Sequence, residues 1–268
     1  MKRRVRFALV LLLALAPAVA RAQDFASPWP FWPPRSSLAQ LEYGLMGPTP
    51  RVSADAAITR WFGLPQLETR ALALGGCARS VAFSIGLSQT GAPELGWTSL
   101  AAAVGHADRN GGVALRALAR RDRLTPLAFD GDAHTAGGEA GIGAWARAGG
   151  TFRLWMSAPQ LWRDGEAPPL RRSLSLGAVC TAPGAAAWFA RESVVGAGGA
   201  RHGEHEAGVT LGAAGASLWC SVRDRPVRVA LGVSASRGPI DIAGSAASHP
   251  VLAQTSRIGA RLSGGTTP

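Results

Sequence analysis

Apolar and polar residues alternate with a period of two over most of the chain, from about residue 52 to residue 262. Within residues 81–88 the large apolar side chains occupy every second position and small ones fill the gaps: Val81, Phe83, Ile85 and Leu87 against Ala82, Ser84, Gly86 and Ser88. Successive side chains of a strand point to opposite faces, so this pattern predicts a β-strand with one apolar face. The alternation recurs in residues 113–120, 152–157, 173–180, 227–236 and 257–262.

Residues that favour tight turns separate these runs. Gly149-Gly150, Pro183-Gly184 and Gly238-Pro239 each fall between two alternating segments. Two longer polar stretches, residues 122–138 and 162–169, are predicted to be loops. The spacing therefore predicts an antiparallel meander of roughly ten to thirteen strands joined mostly by tight turns.

The N-terminus has the three zones of a secretory signal peptide. Four of the first six residues are basic, residues 7–16 are apolar, and residues 20–22 (ARA) have the small–x–small pattern that signal peptidase recognises. The apolar stretch is shorter than the roughly 20 residues that a spanning helix needs. We therefore expect residues 1–22 to be removed on export, with a retained membrane anchor as the alternative.

Alternation alone does not distinguish a soluble β-sandwich from a membrane barrel, because both present one apolar face. Here the apolar face recurs over some two hundred residues, which is more than the seven to nine strands of a sandwich use. The opposite face carries Gly, Ser, Ala and scattered Arg, as in a crowded barrel interior. The runs also have about the 9–11 residues of a transmembrane strand.

Tryptophan supplies much of the aromatic content of the predicted strands. Seven tryptophans lie within or beside them: Trp61, Trp97, Trp145, Trp155, Trp162, Trp188 and Trp219. Tryptophan favours the membrane–water interface, and membrane barrels carry aromatic girdles there. We therefore expect these residues to mark the borders of a lipid-facing surface.

The chain also resembles a group of known proteins in texture and in two short motifs. The stretch RALALGG at residues 70–76, the run SHPVL at residues 248–252 and the continuous meander resemble bacterial outer-membrane β-barrels of the PorV/PorQ-like and related uncharacterised groups. The resemblance implies a fold and a compartment, the cell outer membrane. It does not carry over a substrate.

Three regions follow from these patterns: a signal peptide (1–22), an irregular N-terminal segment (23–50) and a β-barrel (51–268). The expected fold is all-β, a single antiparallel up-and-down barrel of about 12 strands. In the N-terminal segment, prolines exclude a strand over residues 27–34, and Ser36 can cap a short helix over residues 38–45. Phe25, Trp29, Phe31 and Trp32 are too apolar to lie free in water. They belong either at the bilayer interface or in the barrel mouth as a plug, which we favour.

The net charge of +11 comes almost entirely from arginine, since Lys2 is the sole lysine. A group of arginines alternates with the apolar face and is therefore expected to line the lumen: Arg116, Arg120, Arg153, Arg228, Arg257 and Arg261. Such a lumen would favour anions; the alternative, which we favour slightly, is a structural network in which these arginines pair with acidic residues. No basic run is interleaved with aromatics, so nucleic-acid binding is not expected.

The sequence contains only weak signals for catalytic or metal-binding sites. Residues 202–206 (HGEHE) are the densest group of possible ligands, but their glycine-rich flanks favour a solvated loop tip over a metal site. Asp130, Asp132 and His134 match no calcium-loop spacing. No Gly-x-Ser-x-Gly motif occurs. The three cysteines are better interpreted as small apolar residues than as parts of a disulfide framework. We expect neither metal, cofactor nor catalytic residues.

The sequence thus predicts a non-enzymatic outer-membrane barrel that acts as a narrow channel or as a membrane-embedded accessory or scaffold subunit. Its expected partners are outer-membrane lipid and other envelope proteins. Two further hypotheses stay open: an outer-membrane barrel hydrolase, and a soluble periplasmic or surface β-rich binding protein.

Export provides the first test. The exported protein is expected to begin at or near Gln23, because Ala20 and Ala22 satisfy the small-residue rule for cleavage. N-terminal sequencing of protein from the envelope fraction checks this. A sequence that starts at Met1 or Lys2 would contradict it.

Overall fold

A computed structural model of the chain describes residues 27–29, 36–47, 50–91, 95–124, 133–165, 173–195, 201–225 and 227–264. Within these residues fourteen strands form one closed antiparallel barrel, in which every strand pairs with its neighbours in sequence and the first pairs with the last. The strands are β1 (Val52–Arg60), β2 (Glu68–Ala78), β3 (Val81–Gly91), β4 (Leu95–Ala107), β5 (Gly111–Leu124), β6 (Ala133–Arg147), β7 (Phe152–Gly165), β8 (Ser173–Ala182), β9 (Ala185–Val195), β10 (Arg201–Ala213), β11 (Ala216–Arg223), β12 (Arg228–Arg237), β13 (Ile240–Ala247) and β14 (Thr255–Gly264).

The all-β up-and-down barrel is confirmed, but the predicted number of about 12 strands is wrong. The number was underestimated because the alternation of apolar and polar residues is weak in two strands. Residues 101–103 of β4 are all alanine, and the outward face of β1 is partly alanine. The predicted loops were also too long. β5 continues to Leu124, β6 begins at Ala133 and β7 continues to Gly165.

In the described part of the chain one helix, α1 (Ser37–Tyr43), precedes the barrel. Ser36 caps it by accepting a hydrogen bond from the backbone N–H of Ala39 at 3.0 Å, and Gly44 ends it in the left-handed region with φ 64°. Two single 3-10 turns, Trp61–Gly63 and Pro65–Leu67, lie between β1 and β2. No helix in the described part of the chain is long and apolar enough to cross a membrane.

The two ends of the barrel differ. At one end the connections are two to four residues long: 79–80, 108–110, 148–151, 183–184, 214–215 and 238–239. Val52 and Gly264, where the barrel begins and ends, lie at this short-turn end. The other end, the long-loop end, has two short connections, 92–94 and 224–227, and five longer ones: 61–67, 125–132, 166–172, 196–200 and 248–254.

The outer and inner faces have opposite character. On β3 the outward side chains Val81 and Phe83 are 52% and 47% exposed, whereas the inward Ala82 and Ser84 are at most 1% exposed. The same inversion holds around the barrel, with Leu72, Leu115, Leu154, Leu211 and Leu231 all outward and more than 49% exposed. The outer wall is therefore a continuous apolar belt, the reverse of a water-soluble surface.

A polar row ends the apolar belt towards the long-loop end. Arg70, Gln89, Thr98 and Arg121 are register neighbours across β2, β3, β4 and β5, and all face outward. Arg60 continues the row on β1, opposite Glu68. The three cysteines are unpaired.

The two faces predict opposite tolerance to charge. Leu231→Arg places a charge on the apolar belt and is expected to destabilise a membrane-inserted barrel by roughly 2–4 kcal/mol. Ser234→Arg, three residues along the same strand, places the charge on the inward face, next to Ser217, and is expected to be milder. Heat-modifiable gel mobility after folding into lipid vesicles measures both. Equal tolerance would contradict a lipid-facing outer wall.

Candidate functional site

The barrel interior, defined by the inward-facing strand residues and the N-terminal segment, is the candidate functional site. Helix α1 lies inside the barrel against β1 to β4. The backbone N–H of Leu38 donates to Asp55 Oδ2 on β1 at 3.1 Å, and the hydroxyl of Ser84 on β3 donates to Gln40 Oε1. A carboxylate beside the first turn of a helix also complements the positive end of its dipole. The helix is thus fixed by polar bonds to two strands.

The chain reverses at Gly44 and then follows the opposite wall. Met46 accepts a hydrogen bond through its carbonyl from Trp145 Nε1 on β6 at 2.6 Å. A Cβ added at Gly143 would lie 1.9 Å from the Gly44 carbonyl oxygen, so the wall can approach the segment here because it has no side chain. Glycine is therefore required at this contact.

Apolar side chains of the segment fill the space between the walls. Leu38, Leu41, Leu45 and Met46 are at most 1% exposed. Leu38, Leu41 and Met46 pack with the small inward residues of β1 to β5, and Leu45 packs with inward tryptophans. The segment therefore reaches across the interior at mid-height.

The structure places Trp29 inside the barrel, where it is 8% exposed. Its ring lies beneath the guanidinium of Arg261, 5.9 Å from the ring centroid. A Cβ added at Gly259 on β14 would come within 3.0 Å of the same ring. Phe25, Phe31 and Trp32, which sequence analysis grouped with Trp29, lie outside the described residues.

Four inward tryptophans each lie over a glycine of the adjacent strand. The register pairs Trp145 with Gly112, Trp155 with Gly177, Trp188 with Gly208 and Trp219 with Gly232. A Cβ at any of these glycines would fall 2.2–2.5 Å from the facing indole. These pairs, the Trp–Gly arc, run along the inner wall from β5 to β12.

The interfacial position predicted for the tryptophans is wrong for six of the seven. Trp61, Trp97, Trp145, Trp155, Trp188 and Trp219 are buried at 5–7% exposure, whereas Trp162 is outward and 56% exposed. The cause is the glycine opposite each ring of the arc, because an indole laid flat on a glycine covers exposed backbone and fills space that small side chains leave empty.

The six predicted arginines all lie on the inward face of their strands. Arg261 pairs with Asp241, Arg120 pairs with Asp122, and Arg228 Nη2 lies 3.1 Å from Glu204 Oε2. Carboxylates therefore neutralise at least these three of the six.

The other three contact different groups. Arg153 Nη1 donates to Thr181 Oγ1 at 2.7 Å, and Arg257 lies over the Trp61 ring at 5.6 Å. Arg116 is 6% exposed, with its side chain beside Gly44 of the N-terminal segment. These contacts hold structure together and do not leave a ring of free cations, which favours the structural network over an anion-selective lining.

The group with the most ionic contacts in the described interior is one that the sequence pattern does not reveal. Arg223 on β11 pairs with Glu192 at 3.1 Å, with Glu206 at 2.6 Å and with Glu204 at 3.5 Å. Glu204 is 1% exposed and also binds Arg228. These five residues, the mouth cluster, lie towards the long-loop end of β9 to β12. The two-residue alternation does place Glu204 and Glu206 on one face and His205 on the other, but it does not show that Arg223 lies opposite the two carboxylates.

With this geometry in hand, comparison with solved structures finds other barrels. The chain is similar to the CymD monoaromatic hydrocarbon channel, with a TM-score of 0.53 and 10% identity over 81% of this chain and 88% of that one. A KdgM porin gives a TM-score of 0.45 and 8% identity over 79% and 99%. A triple mutant of the Rhodopseudomonas blastica porin gives 0.42 and 10% over 79% and 98%. No family model and no curated protein matches the chain.

At these identities the likeness to CymD shows the fold alone. It agrees with the closed antiparallel barrel seen here.

The HGEHE run differs from its predicted form, because residues 202–206 are part of strand β10 and not a loop tip. Glu204 and Glu206 face inward, whereas His205 faces outward, stacks on Phe189 and lies 2.9 Å from Asp224 through Nδ1. The described residues hold no group of three His, Cys, Asp or Glu side chains suited to a metal. Asp130 and Asp132 lie outside them, as does the side chain of His134.

Asp224 and Tyr43 both lie outside the strands and have shifted pKa values. The backbone N–H of His205 donates to Asp224, and this bond, together with the imidazole, lowers the pKa of that carboxyl. Burial raises the pKa of the Tyr43 hydroxyl well above its usual value, and the nearby Glu42 and Glu206 carboxylates raise it further. Tyr43 is therefore a neutral hydrogen-bonding group beneath the mouth cluster.

The Trp–Gly arc can be tested with one methyl group. Gly232→Ala puts a Cβ 2.3 Å from Trp219 Nε1 and Cε2, so the ring must move, at an expected cost of about 1–3 kcal/mol in unfolding free energy. Gly244→Ala is the matched control, since its Cβ meets only the Arg257 carbonyl at 3.8 Å. Urea unfolding in vesicles, followed by tryptophan fluorescence, compares them. Equal midpoints would contradict close packing of the arc.

Proposed function

We propose that this chain is an outer-membrane β-barrel that acts as a narrow channel, with its lumen constricted by residues 27–29 and 36–47. One observation carries the proposal: a closed barrel has a continuous apolar outer belt and a charged, hydrogen-bonded interior. Closure pairs the backbone of every strand, as a bilayer requires. The belt suits lipid and the interior suits water and polar solutes.

The two ends of the barrel support one orientation. Bacterial barrels carry short turns on the periplasmic side and longer loops outside. We infer that the short-turn end faces the periplasm, so the N-terminal segment enters the lumen from there. The mouth cluster then lies towards the cell exterior, where Glu192, Glu206 and Arg223 are 23–28% exposed.

The interior favours small polar or charged solutes. CymD is named as a monoaromatic hydrocarbon channel, and its fold supports a channel for this chain, but a hydrocarbon would have to pass the ionised mouth cluster. Three carboxylates and two guanidiniums there can exchange hydrogen bonds with a hydrated solute. We therefore propose a different class of solute for this chain.

A membrane-embedded accessory or scaffold subunit is the second candidate. The observation that favours it is the filled interior, where Leu38, Leu41 and Leu45 are fully buried between the walls. The resemblance to PorV/PorQ-like barrels noted from the sequence belongs with this candidate and stays a prediction.

A barrel hydrolase and a soluble binding protein both gain no support from particular residues. A hydrolase needs a serine hydroxyl on a histidine, and among the described residues the His205 side chain contacts Asp224 and Phe189 but no serine. A soluble protein would have to expose the apolar belt to water, which costs roughly 25 cal/mol for each Å².

Deletion of residues 27–47 tests the channel. It removes the apolar filling and the Met46–Trp145 contact, so the barrel is expected to show a severalfold larger ion conductance in planar bilayers than the intact chain. A milder double variant, Tyr43→Ser with Leu45→Ser, thins the same barrier without removing the segment and should give an intermediate conductance.

Folding must be checked alongside conductance. Heat-modifiable gel mobility shows whether each variant is an inserted barrel, and Leu64→Ser, an exposed change outside the interior, is the control. If the inserted deletion and the inserted double variant both conduct no better than the intact protein, the channel is wrong and the accessory subunit is favoured.

A further inference from the structure

Charge is distributed unevenly around the short-turn end of the barrel. The fourteen described strands meet there as seven neighbouring pairs. Five consecutive pairs, from β12–β13 through β14–β1 to β6–β7, each carry one arginine in the turn or directly beside it, and all five arginines are exposed. In their order around the barrel these residues, the basic rim, are Arg237, Arg51, Arg79, Arg109 and Arg147.

The two remaining strand pairs, β8–β9 and β10–β11, are neutral at this end. Their turns and the strand ends beside them are residues 181–187 (TAPGAAA) and 211–218 (LGAAGASL), which contain no charged residue. This part of the short-turn end, the neutral rim, is built from alanine, glycine and a few other small residues. One side of the barrel end is therefore basic, and the other side has no charge.

Carboxylates do not neutralise the basic rim within the described residues. The side chains of Arg51, Arg79, Arg109 and Arg237 have no ion-pair or hydrogen-bond partner there. Arg147 donates to two carbonyl groups of its own turn, at 2.9 and 2.8 Å, and so keeps its charge. The guanidinium groups of the rim are thus available to an anion from outside the chain.

One acidic residue, Asp108, lies in the described turns of this end. Its Oδ1 accepts hydrogen bonds from the backbone N–H groups of Asn110 and Gly111 at 2.7 and 2.9 Å, and these bonds lower the pKa of the carboxyl. Asp108 is therefore ionised and holds its own turn. Five arginines and one aspartate leave the basic rim with a net charge of +4.

The apolar belt extends almost to these arginines. Val52 directly follows Arg51, and Val81 comes two residues after Arg79; both valines face outward and are 62% and 52% exposed. Two residues span at most about 7 Å, so the short turns cannot carry the arginines far beyond the belt. The basic rim therefore lies at the level where lipid headgroups border the belt.

We propose that the basic rim binds the phosphate groups of anionic glycerophospholipids, which gather along its five strand pairs and not along the neutral rim. This rests on the proposed membrane placement and orientation, which turn the short-turn end to the periplasmic leaflet, the glycerophospholipid leaflet of an outer membrane. A guanidinium is the preferred partner of a phosphate, and arginines beside a bilayer surface attract anionic lipids.

The spacing and sign of the charges favour anionic over zwitterionic lipids. Neighbouring strand pairs are roughly 9–10 Å apart, so each arginine can meet a separate phosphate. A choline or ethanolamine headgroup carries its own cation, which the next arginine repels. A phosphatidylglycerol headgroup has no cation, and its full negative charge is available to the rim.

A comparison of lipid composition beside the two parts of the rim tests this. Ala78 and Ala182 are matched positions, since each is exposed and is the last strand residue before a turn of two residues, on the basic and the neutral rim respectively. A bimane fluorophore is attached to Ala78→Cys or Ala182→Cys in a full chain whose three native cysteines are replaced by alanine. The chain is folded into vesicles of equal parts phosphatidylglycerol and phosphatidylcholine, with a nitroxide on one lipid or the other.

The ratio of quenching by phosphatidylglycerol to quenching by phosphatidylcholine is expected to be at least threefold higher at position 78 than at position 182. Arg79→Gln with Arg109→Gln should lower the ratio at position 78 to that at position 182, whereas Arg79→Lys with Arg109→Lys should keep most of it. In the labelled chain without these changes, 1 M salt should remove most of the enrichment, because the Debye length falls to about 3 Å.

Equal ratios at the two positions, or a ratio at position 78 that neither salt nor the glutamine variants lower, would overturn the proposal. Equal ratios together with co-sedimentation of the inserted chain with peptidoglycan would assign the basic rim to a carboxylate-bearing polymer instead. Heat-modifiable mobility separates these results from the proposed function. An inserted barrel with equal ratios defeats the lipid preference alone, whereas a chain that never enters the bilayer defeats the membrane placement.

Discussion

Closure of the sheet is the constraint on which the rest of this structure depends. A strand in a bilayer has no water to satisfy its backbone groups, so β1 must pair with β14. An eight-stranded barrel can fill its interior with side chains, whereas barrels of 16–18 strands enclose a water channel. The fourteen strands of the described chain fall between these cases. The interior left by closure is too wide for alanine and serine to fill, and other groups must occupy it.

Three kinds of group fill the barrel interior, and each meets the inward-facing side chains that occupy every second position of a strand. Helix α1 fills the side lined by the small residues of β1 to β4. The Trp–Gly arc fills the other side, because an indole on one strand covers the glycine of the next. Ionic groups take the positions nearer the ends, with Arg261 and Asp241 at one level and the mouth cluster at another. The strand registers that bring these interior partners together also determine which side chains face outward. The packing of the interior and the apolar outer belt therefore depend on the same registers.

Sequence alone was sufficient for what depends on local alternation. It predicted the barrel, the Ser36-capped helix and the inward face of Arg116, Arg228 and Arg261, since a charge on the outer face would meet lipid. It could not predict what depends on pairs of distant strands. Nothing local to Trp219 shows that Gly232 lies opposite, and nothing local to Arg223 shows three carboxylates nearby. The predicted number of strands was wrong because some strands carry alanine on both faces, as at residues 101–103. The two faces do not differ in polarity there, so the sequence shows no alternation.

Because most of the barrel's tryptophans face the interior, other residues must mark the border between the apolar belt and the lipid headgroups. With one outward tryptophan, Trp162, in the described wall, a girdle of tryptophans cannot set the level of this barrel in lipid. The row from Arg70 through Gln89 and Thr98 to Arg121 can do so, because guanidinium and amide groups hydrogen-bond to headgroups that tryptophan would contact through its ring. The indoles are then free for the interior, where a flat ring over glycine closes space that an aliphatic side chain could not cover. In the described barrel, tryptophan therefore lies mainly in the lumen. Polar side chains, arginine among them, occupy the border where tryptophan was expected.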